Sequence, residues 1–286
     1  MTGFMGHDQT YVIAEVGSNH GGSLDAALAL IDAAADAGAD AAKFQLWHTD
    51  HMYDPTQFPV EHAEAVRWQM PEAWLPLLAK RCEERGIDFG CSAFCFDALD
   101  AVDPFVKWHK VASIEATWWE FVYAVAQKGK PVIASVGMGS QGFDLPTDLV
   151  TLHCVTAYPA SLEDLHLHSR YEGRWPWGLS DHTTHPTIAP CAAVALGASV
   201  IEKHMKLHNE FYFGGQGGLM DFRRPRLQWD ERPPDFDHSI DQFHFRLMVD
   251  AIRLTEQALG SSEKRVRPSE EKYLKYRRGP RGLRGA

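Results

Sequence analysis

The 286-residue sequence predicts an α/β protein, and specifically a closed (β/α)8 TIM barrel. Short apolar runs alternate with helical segments along the chain, which is typical of parallel α/β folds. Eight such runs suit the length of about 250 residues that one barrel needs. An open doubly wound sheet is the alternative. However, the turn at 17–22 lacks the G-x-G-x-x-G spacing of dinucleotide-binding sheets.

The first strand is predicted at Tyr11–Glu15, followed by a helix that Ser23 caps and that ends near Gly38. Apolar runs bounded by turn residues predict further strands at Ala41–Gln45, Asp88–Ser92, Trp108–Val111, Val132–Ser135, Leu149–His153, Trp177–Ser180 and Ser199–His204. Helical periodicity predicts helices at Glu72–Arg85, Asp97–Asp103, Trp118–Lys128, Leu162–Arg170, Ile188–Leu196 and Asp241–Leu259. The polar segment Trp47–Gln69 and a long loop after the eighth strand are predicted to be irregular.

We expect a single catalytic domain over residues 1–262 and a basic tail over 263–286. The tail holds nine Lys or Arg against three acidic residues, within a chain of formal net charge −10. An acidic body argues against nucleic acid as the main partner. No apolar run approaches the roughly 20 residues of a membrane span, and no secretory signal is visible. Five cysteines without paired spacing fit a reduced, cytoplasmic chain.

Polar side chains stand at the carboxyl end of every predicted strand, where barrel enzymes carry their catalytic groups. These residues are Glu15, Lys43 with Gln45, Ser92, Lys110 with Ser113, Ser135, His153, Ser180 with Asp181 and His182, and Glu202 with His204. Loops are polar in any barrel, which accounts for a few of these positions but not for all of them. The pattern therefore predicts an active site at this mouth.

Two lysines and several hydroxyl groups at one mouth favour an anionic, phosphorylated substrate. His182 and His204 follow neighbouring strands, so they either share a divalent metal or form ordinary hydrogen bonds. A Schiff base at Lys43 or Lys110 is a second mechanism that these residues permit.

Three carboxylates at the predicted mouth have the chemistry to orient those imidazoles or to move protons. They are Glu15, Asp181 and Glu202.

Seven segments in one order resemble the barrel domain of the sialic acid (N-acetylneuraminate) synthase family. They are IAEVGSNHGG at 13–22, GADAAKFQ at 38–45, KVAS at 110–113, KPVIASVGM at 130–138, LHC at 152–154, GLSDHT at 178–183 and ALGASVIEKH at 195–204. The resemblance runs from about residue 11 to 259. It implies condensation of phosphoenolpyruvate with an N-acetylated amino sugar, giving a nonulosonic acid and phosphate without a Schiff base.

The resemblance also implies roles for individual residues. The donor phosphoenolpyruvate is bound by Lys43, Lys110, Ser113, Ser135 and Ser180. The acceptor sugar is faced by Gln45, Glu115, Tyr158 and Asp235. The catalytic groups are Glu15, Lys110, His182 and His204. The two histidines ligate a divalent metal, for which Mn²⁺ is the first expectation and Mg²⁺ or Co²⁺ the alternatives.

The sequence departs from the family pattern at several places. Ala93 replaces a threonine, Thr156 replaces an asparagine, and the loop at 208–234 is longer than usual. Family members continue into an antifreeze-like domain about where this chain stops. A homodimer is expected, with another chain as a source of that domain. Two alternatives follow: a phosphoenolpyruvate-dependent condensation on a non-sialic aldehyde, and a catalytically weak barrel that serves as a scaffold subunit.

Overall fold

The computed structural model describes residues 4–139, 149–169, 176–208 and 232–277, and it confirms the predicted barrel. Its eight parallel strands are β1 Tyr11–Glu15, β2 Ala41–Leu46, β3 Asp88–Ala93, β4 His109–Val111, β5 Val132–Val136, β6 Leu149–Cys154, β7 Trp177–Asp181 and β8 Val200–Lys206. They pair in chain order, and β8 returns to pair with β1, which excludes the open sheet. A short strand β9, Ile240–Asp241, pairs in parallel with the last two residues of β8.

The helices lie between the strands and after them. They are α1 Leu24–Asp36, α2 Thr49–Met52, α3 Pro59–Trp68, α4 Leu75–Arg85, α5 Phe96–Val102, α6 Trp119–Ala126, α7 Ile188–Ala195 and α8 Gln242–Leu259. The Ser23 side chain accepts from the Ala26 N–H at 3.3 Å, which confirms the predicted cap of α1. Helices α2 and α3 occupy the segment that was predicted to be irregular.

The prediction of a helix at Leu162–Arg170 is wrong. Residues 162–169 form turns and one short 3-10 turn, Leu167–Ser169. The carbonyl oxygen of Leu165 lies 2.6 Å from His153 Nε2, so a side chain on β6 satisfies it instead of a helical N–H. His166 has a φ of +40°, which also breaks helical geometry.

The amino-terminal part of the barrel interior is filled by apolar side chains. Successive residues of a strand point to opposite faces, so every second residue enters the interior. The buried apolar residues there are Phe4, Tyr11, Ile13, Ala41, Trp108, Ile133, Val150, Leu152 and Val200. Gly90 makes room for the indole of Trp108, since a Cβ at this glycine would lie 2.6 Å from the ring.

Asp181 points out of the barrel, toward the layer between strands and helices. Its carboxylate lies 2.6 Å from Lys203 Nζ on β8, and both side chains are fully buried. It also accepts from the Thr183 N–H at 2.9 Å. Asp181 has the opposite strand parity to Ser180 and His182, so the hypothesis that it orients the imidazoles is wrong.

No helix in the described ranges combines the length and the apolar content needed to cross a membrane.

Replacing Lys203 with Met is expected to lower the free energy of unfolding by about 3–5 kcal/mol, because the Asp181 carboxylate stays buried without a partner. The matched control is Lys107→Met, which removes an exposed lysine 2.5 Å from Asp88 and is expected to cost about 0–1 kcal/mol. Urea denaturation curves measure both changes. Equal losses in the two variants would contradict the structural role of the buried pair.

Candidate active site

Charged and hydroxyl side chains replace apolar ones at the carboxyl end of the barrel interior. Every second residue of a strand faces the interior, so Glu15 follows Ile13 on the inward face of β1. By the same count, Lys110 of β4 follows Trp108, the residue directly before that strand. The inward-facing polar residues at this level are Glu15, Lys43, Ser92, Lys110, Ser135, Ser180 and Glu202. Each is at most 5% exposed, so the structure brings most of the predicted donor site into one enclosed space.

Lys43 lies between two carboxylates. Its Nζ is 2.7 Å from Glu15 Oε2 and 3.6 Å from Glu202 Oε2, and it donates to Ser92 Oγ at 2.9 Å. Gln45 Nε2 donates to the other oxygen of Glu15 at 2.6 Å. Strand β2 therefore fixes the Glu15 carboxylate with two residues of the same face.

Lys110 shares the second of these carboxylates. Its Nζ lies 3.5 Å from Glu202 Oε1 and donates to Ser135 Oγ at 2.8 Å. Ser180 Oγ donates to the same Glu202 oxygen at 2.9 Å. One carboxylate thus stands between two buried ammonium groups, Lys43 and Lys110.

The two carboxylates differ in proton affinity. Burial alone would raise the pKa of Glu202, but Lys110 and Lys43 outweigh burial and lower that pKa to about 2. Burial raises the pKa of Glu15 to about 7, since the repulsion from Glu202 offsets part of the attraction to Lys43. Burial lowers the pKa of Lys110, whereas Glu15 and Glu202 outweigh burial at Lys43 and raise its pKa to about 12. Of the two carboxylates, Glu15 is therefore the one whose pKa lies near neutral pH.

A second row of polar groups follows β4 and β6. Thr156 Oγ1 donates to Ser113 Oγ at 3.2 Å. The ring of Tyr158 packs on His182 with 4.3 Å between ring centroids, and the tyrosine is 48% exposed. Glu115 carries a buried Oε2 that has no hydrogen-bond partner among the described residues, and burial raises its pKa. The structure thus places Ser113, predicted for the donor, and Glu115 and Tyr158, predicted for the acceptor, in the segments that directly follow β4 and β6.

Two histidines from β7 and β8 lie beside the charged cluster, with 5.7 Å between ring centroids. His182 Nδ1 lies 2.7 Å from the carbonyl oxygen of Val155. A carbonyl only accepts, so Nδ1 carries a hydrogen, and burial lowers the pKa of His182, which favours the neutral ring with a lone pair on Nε2. His204 Nδ1 makes no hydrogen bond within the described ranges, and burial lowers its pKa well below the usual value. Both rings therefore have the neutral, ligand-competent form.

His238 is a site residue that the sequence analysis missed. Its ring centroid is 4.5 Å from that of His204, and its Nε2 lies 3.3 Å from Asp235 Oδ1. One ligand atom each from His204, Asp235 and His238 lies within 4.8 Å of the others. The signal in the sequence was the Asp-x-x-His spacing, which places both side chains on one side of a tight turn.

Asp235 is held in place by the turn after β1. Its Oδ2 accepts from the Ser18 N–H at 2.6 Å and from Ser18 Oγ at 2.8 Å. Gly17 has a φ of +52°, and a Cβ there would lie 2.2 Å from that oxygen, so only glycine fits. Burial opposes ionisation of Asp235, but His204, His238 and Ser18 outweigh it and hold the pKa well below its usual range.

The structure also clarifies one of the departures from the family pattern. Ala93 packs with Leu46 in the layer outside the strands, and the inward hydroxyl of β3 belongs to Ser92. The long loop after β8 falls mostly at 209–231, outside the described residues, and so does 278–286 of the basic tail.

Fold and site together define a barrel whose closed mouth holds two buried ammonium groups next to a histidine–carboxylate cluster. The NeuB family model matches residues 30–216. Spore coat polysaccharide biosynthesis protein SpsE of Bacillus subtilis is 34% identical over 92% of this chain and 72% of its own length. A pseudaminic acid synthase of Campylobacter jejuni is 31% identical over 96% of this chain and 81% of its own length.

Among solved structures, an N-acetylneuraminic acid synthetase of Leptospira borgpetersenii superposes with a TM-score of 0.78 at 27% identity. The match covers 94% of this chain and 91% of that one. The chain belongs to the NeuB family.

The raised pKa of Glu15 predicts how the free energy of unfolding depends on pH. Between pH 4.5 and about 7 the folded protein retains a proton on Glu15 that the unfolded chain has released, so the free energy of unfolding falls as pH rises through this window. In metal-stripped protein, Glu15→Gln is expected to remove up to about 3 kcal/mol of this fall. Denaturation curves across the window measure it.

The control for this experiment is Glu61→Gln on the exposed surface of α3, which is expected to keep the wild-type pH profile. A Glu15→Gln profile parallel to the wild-type profile would show that the proton is held elsewhere.

Proposed function

We propose that this chain is a metal-dependent synthase that condenses phosphoenolpyruvate with an aldose, an amino sugar of the N-acetylmannosamine class. The products are a nonulosonic 2-keto acid and phosphate. The observation that carries the proposal is the buried pair Lys43 and Lys110 inside the barrel mouth. The buried Lys203 is paired with Asp181 at 2.6 Å, whereas the nearest carboxylate oxygen to Lys110 Nζ among the described residues lies at 3.5 Å. Because buried ammonium groups without close partners are costly, a ligand-binding role accounts for the inward-facing pair better than a structural one.

The donor half of the reaction belongs to the interior cluster. The contacts from Glu202 to the two ammonium groups, at 3.5 and 3.6 Å, are longer than the roughly 2.7–2.9 Å of charge-assisted hydrogen bonds. Lys43 uses two of its three hydrogens on Glu15 and Ser92. Lys110 uses two on Ser135 and the carbonyl oxygen of Val111. Each ammonium group therefore keeps one hydrogen for a ligand. The carboxylate and phosphate of phosphoenolpyruvate would be bound by Lys43, Lys110, Ser113, Ser135 and Ser180.

The reaction balances with one added water. C3 of phosphoenolpyruvate forms a bond to the aldehyde carbon of the acceptor, whose oxygen gains a proton. Water adds to C2 and loses one proton, which leaves a hydroxyl and the phosphate group on the same carbon. The C2–O bond to phosphate then breaks, and the leaving phosphate takes the hydroxyl proton, so that C2 becomes the keto carbon. Glu15, with a pKa near 7 and a hydrogen bond from Gln45, would accept the proton of the water and return it to the acceptor oxygen.

A divalent metal, when bound, would supply Lewis acidity at the aldehyde oxygen. His182 and His204 would hold it, with Asp235 and His238 beside them. The donor set fits, since His182 donates its Nδ1 hydrogen to a backbone carbonyl, an arrangement typical of ligating histidines. His204 and His238 each have one buried nitrogen without a hydrogen bond among the described residues. Imidazole with carboxylate suits Mn²⁺, and Mg²⁺ or Co²⁺ are alternatives.

The acceptor would bind on the outer side of this cluster. Tyr158 offers the face of its half-exposed ring to a sugar. Glu115 Oε2, which has no hydrogen-bond partner within the described part of the chain, would accept from a hydroxyl. Gln45 and Asp235 complete the acceptor side. Relatives named for sialic and pseudaminic acid synthesis support an amino-sugar acceptor. A non-sialic aldehyde is the second candidate for the acceptor.

Phosphate release tests the proposed reaction. With phosphoenolpyruvate, Mn²⁺ and a panel of aldoses, we expect release that needs both metal and acceptor, with product mass identifying the acceptor. Lys110→Met is expected to lower kcat/KM by at least about 100-fold, since it removes charge stabilisation of the donor. The matched control, Lys107→Met, lies outside the site and should retain the wild-type rate. Absence of release with every acceptor would favour the scaffold alternative.

Metal binding is tested apart from catalysis. In calorimetric titrations of metal-stripped protein with Mn²⁺, His204→Ala is expected to weaken binding by about 100-fold or more, because it removes a ligand. His182→Ala should weaken it as well. The exposed His244 serves as the control, and His244→Ala should bind Mn²⁺ like the wild type. Unchanged affinity in His204→Ala would contradict the assigned ligand set.

A further inference from the structure

We propose that His48, His51 and Cys95 form a second metal site, for Zn²⁺, at the rim of the barrel mouth. His48 directly precedes α2 and His51 lies within it, so both belong to the connection after β2. Cys95 stands at the start of α5, in the connection after β3. This site uses none of the residues assigned to donor, acceptor or active-site metal, so it stands whether or not the proposed reaction is correct.

The spacing of the three side chains suits one tetrahedral ion. One ligand atom of each lies within 4.8 Å of the other two, and His48 Nδ1 is 3.7 Å from Cys95 Sγ. Zinc bonds of about 2.05 Å to nitrogen and about 2.3 Å to sulfur, at a tetrahedral angle, place the two ligand atoms about 3.6 Å apart. Zn²⁺ would therefore enter between them with little movement.

The carboxylates around the site support the same assignment. Glu72 Oε1 accepts from His48 Nε2 at 2.6 Å, so the hydrogen of this ring is on Nε2 and the lone pair of Nδ1 faces Cys95. The Asp97 carboxylate lies 3.8 Å from Nδ1 of His51. The hydrogen bond from His48 to Glu72 is the usual outer-shell arrangement of a zinc-ligating histidine, whereas Asp97 makes no hydrogen bond to His51 and contributes negative charge near the site. The thiolate and the two carboxylates together carry one negative charge more than the two positive charges of Zn²⁺, so the occupied site would be singly negative.

The surroundings provide access and a free coordination position. A cavity of about 490 Å³ opens beside the cluster, lined in part by His48, Asp50 and His51. Cys95 is only 5% exposed, whereas the imidazole of His51 is 48% exposed. The thiolate is thus shielded from solvent, while ion and water reach the site from the His51 side. Water from the cavity would complete the four ligands.

The ligand chemistry separates this site from the active-site cluster. A thiolate with imidazoles selects a borderline-soft ion such as Zn²⁺, whereas a carboxylate with imidazoles also accepts Mn²⁺. Bound Zn²⁺ would join the connection after β2 to that after β3. Those strands carry Gln45 and Ser92, so the ion would brace one side of the mouth.

Co²⁺ spectroscopy tests the proposal, because a Co²⁺–thiolate bond gives a near-ultraviolet charge-transfer band that histidine and carboxylate ligands do not give. The metal-stripped full chain is titrated with Co²⁺, which the active-site cluster also accepts. The thiolate band is therefore expected to saturate by two added equivalents, with an intensity that corresponds to one thiolate-bound Co²⁺ per chain, and to disappear when Zn²⁺ displaces Co²⁺. Cys95→Ser should abolish the band. His51→Asn should weaken Co²⁺ affinity at least tenfold, and Glu72→Gln by about 10–100-fold.

The control is Cys154→Ser, which removes another buried thiol, at the end of β6, and should keep the band. Circular dichroism confirms that each variant is folded, and His51→Asn changes an exposed side chain that folding does not require. Absence of the band in the wild type, or its persistence in Cys95→Ser, would overturn the proposal.

Discussion

The carboxylate of Glu202, shared by Lys43 and Lys110, is the interaction on which the rest of the site depends. Two ammonium groups inside a barrel would repel each other and lower its stability, and one carboxylate at 3.5–3.6 Å from both makes their burial tolerable. The Glu202 carboxylate does not occupy all the hydrogen-bond donors of the two ammonium groups. The apolar side chains around Trp108 fill the opposite end of the interior, so a ligand would reach the lysines through the mouth.

Strand β8 connects the two halves of the site. It presents Glu202 to the lysines and, two residues later on the same face, His204 to the histidine–carboxylate cluster. The turn after β1 then fixes Asp235 through Ser18, with Gly17 leaving room for the carboxylate. A ligand bound to the lysines and one bound beside the histidines would lie next to each other. This adjacency is what a condensation between two substrates requires.

The strands and most helices were predictable because short apolar runs and turn residues are local signals. Strand parity also predicts Glu15, Lys43 and Lys110 as inward-facing, and the same count would have placed Asp181 outside. The segment that forms α2 and α3 lacks a continuous apolar stripe, so its helices depend on tertiary packing. His238 was missed although its spacing from Asp235 is local, because its other neighbour, His204, lies on β8. Cys95 is likewise distant in sequence from His48 and His51, and only the folded chain brings the three together.

Calorimetric titration of metal-stripped protein with phosphoenolpyruvate tests the central claim most directly, since it asks whether the lysine pair is an anion site. The account predicts saturable binding of one equivalent, with proton uptake near pH 7 because the bound anion raises the pKa of Glu15 further. It also predicts that Lys110→Met loses this binding while the folded barrel remains. Absence of binding in the wild type, or equal affinity in Lys110→Met, would contradict it.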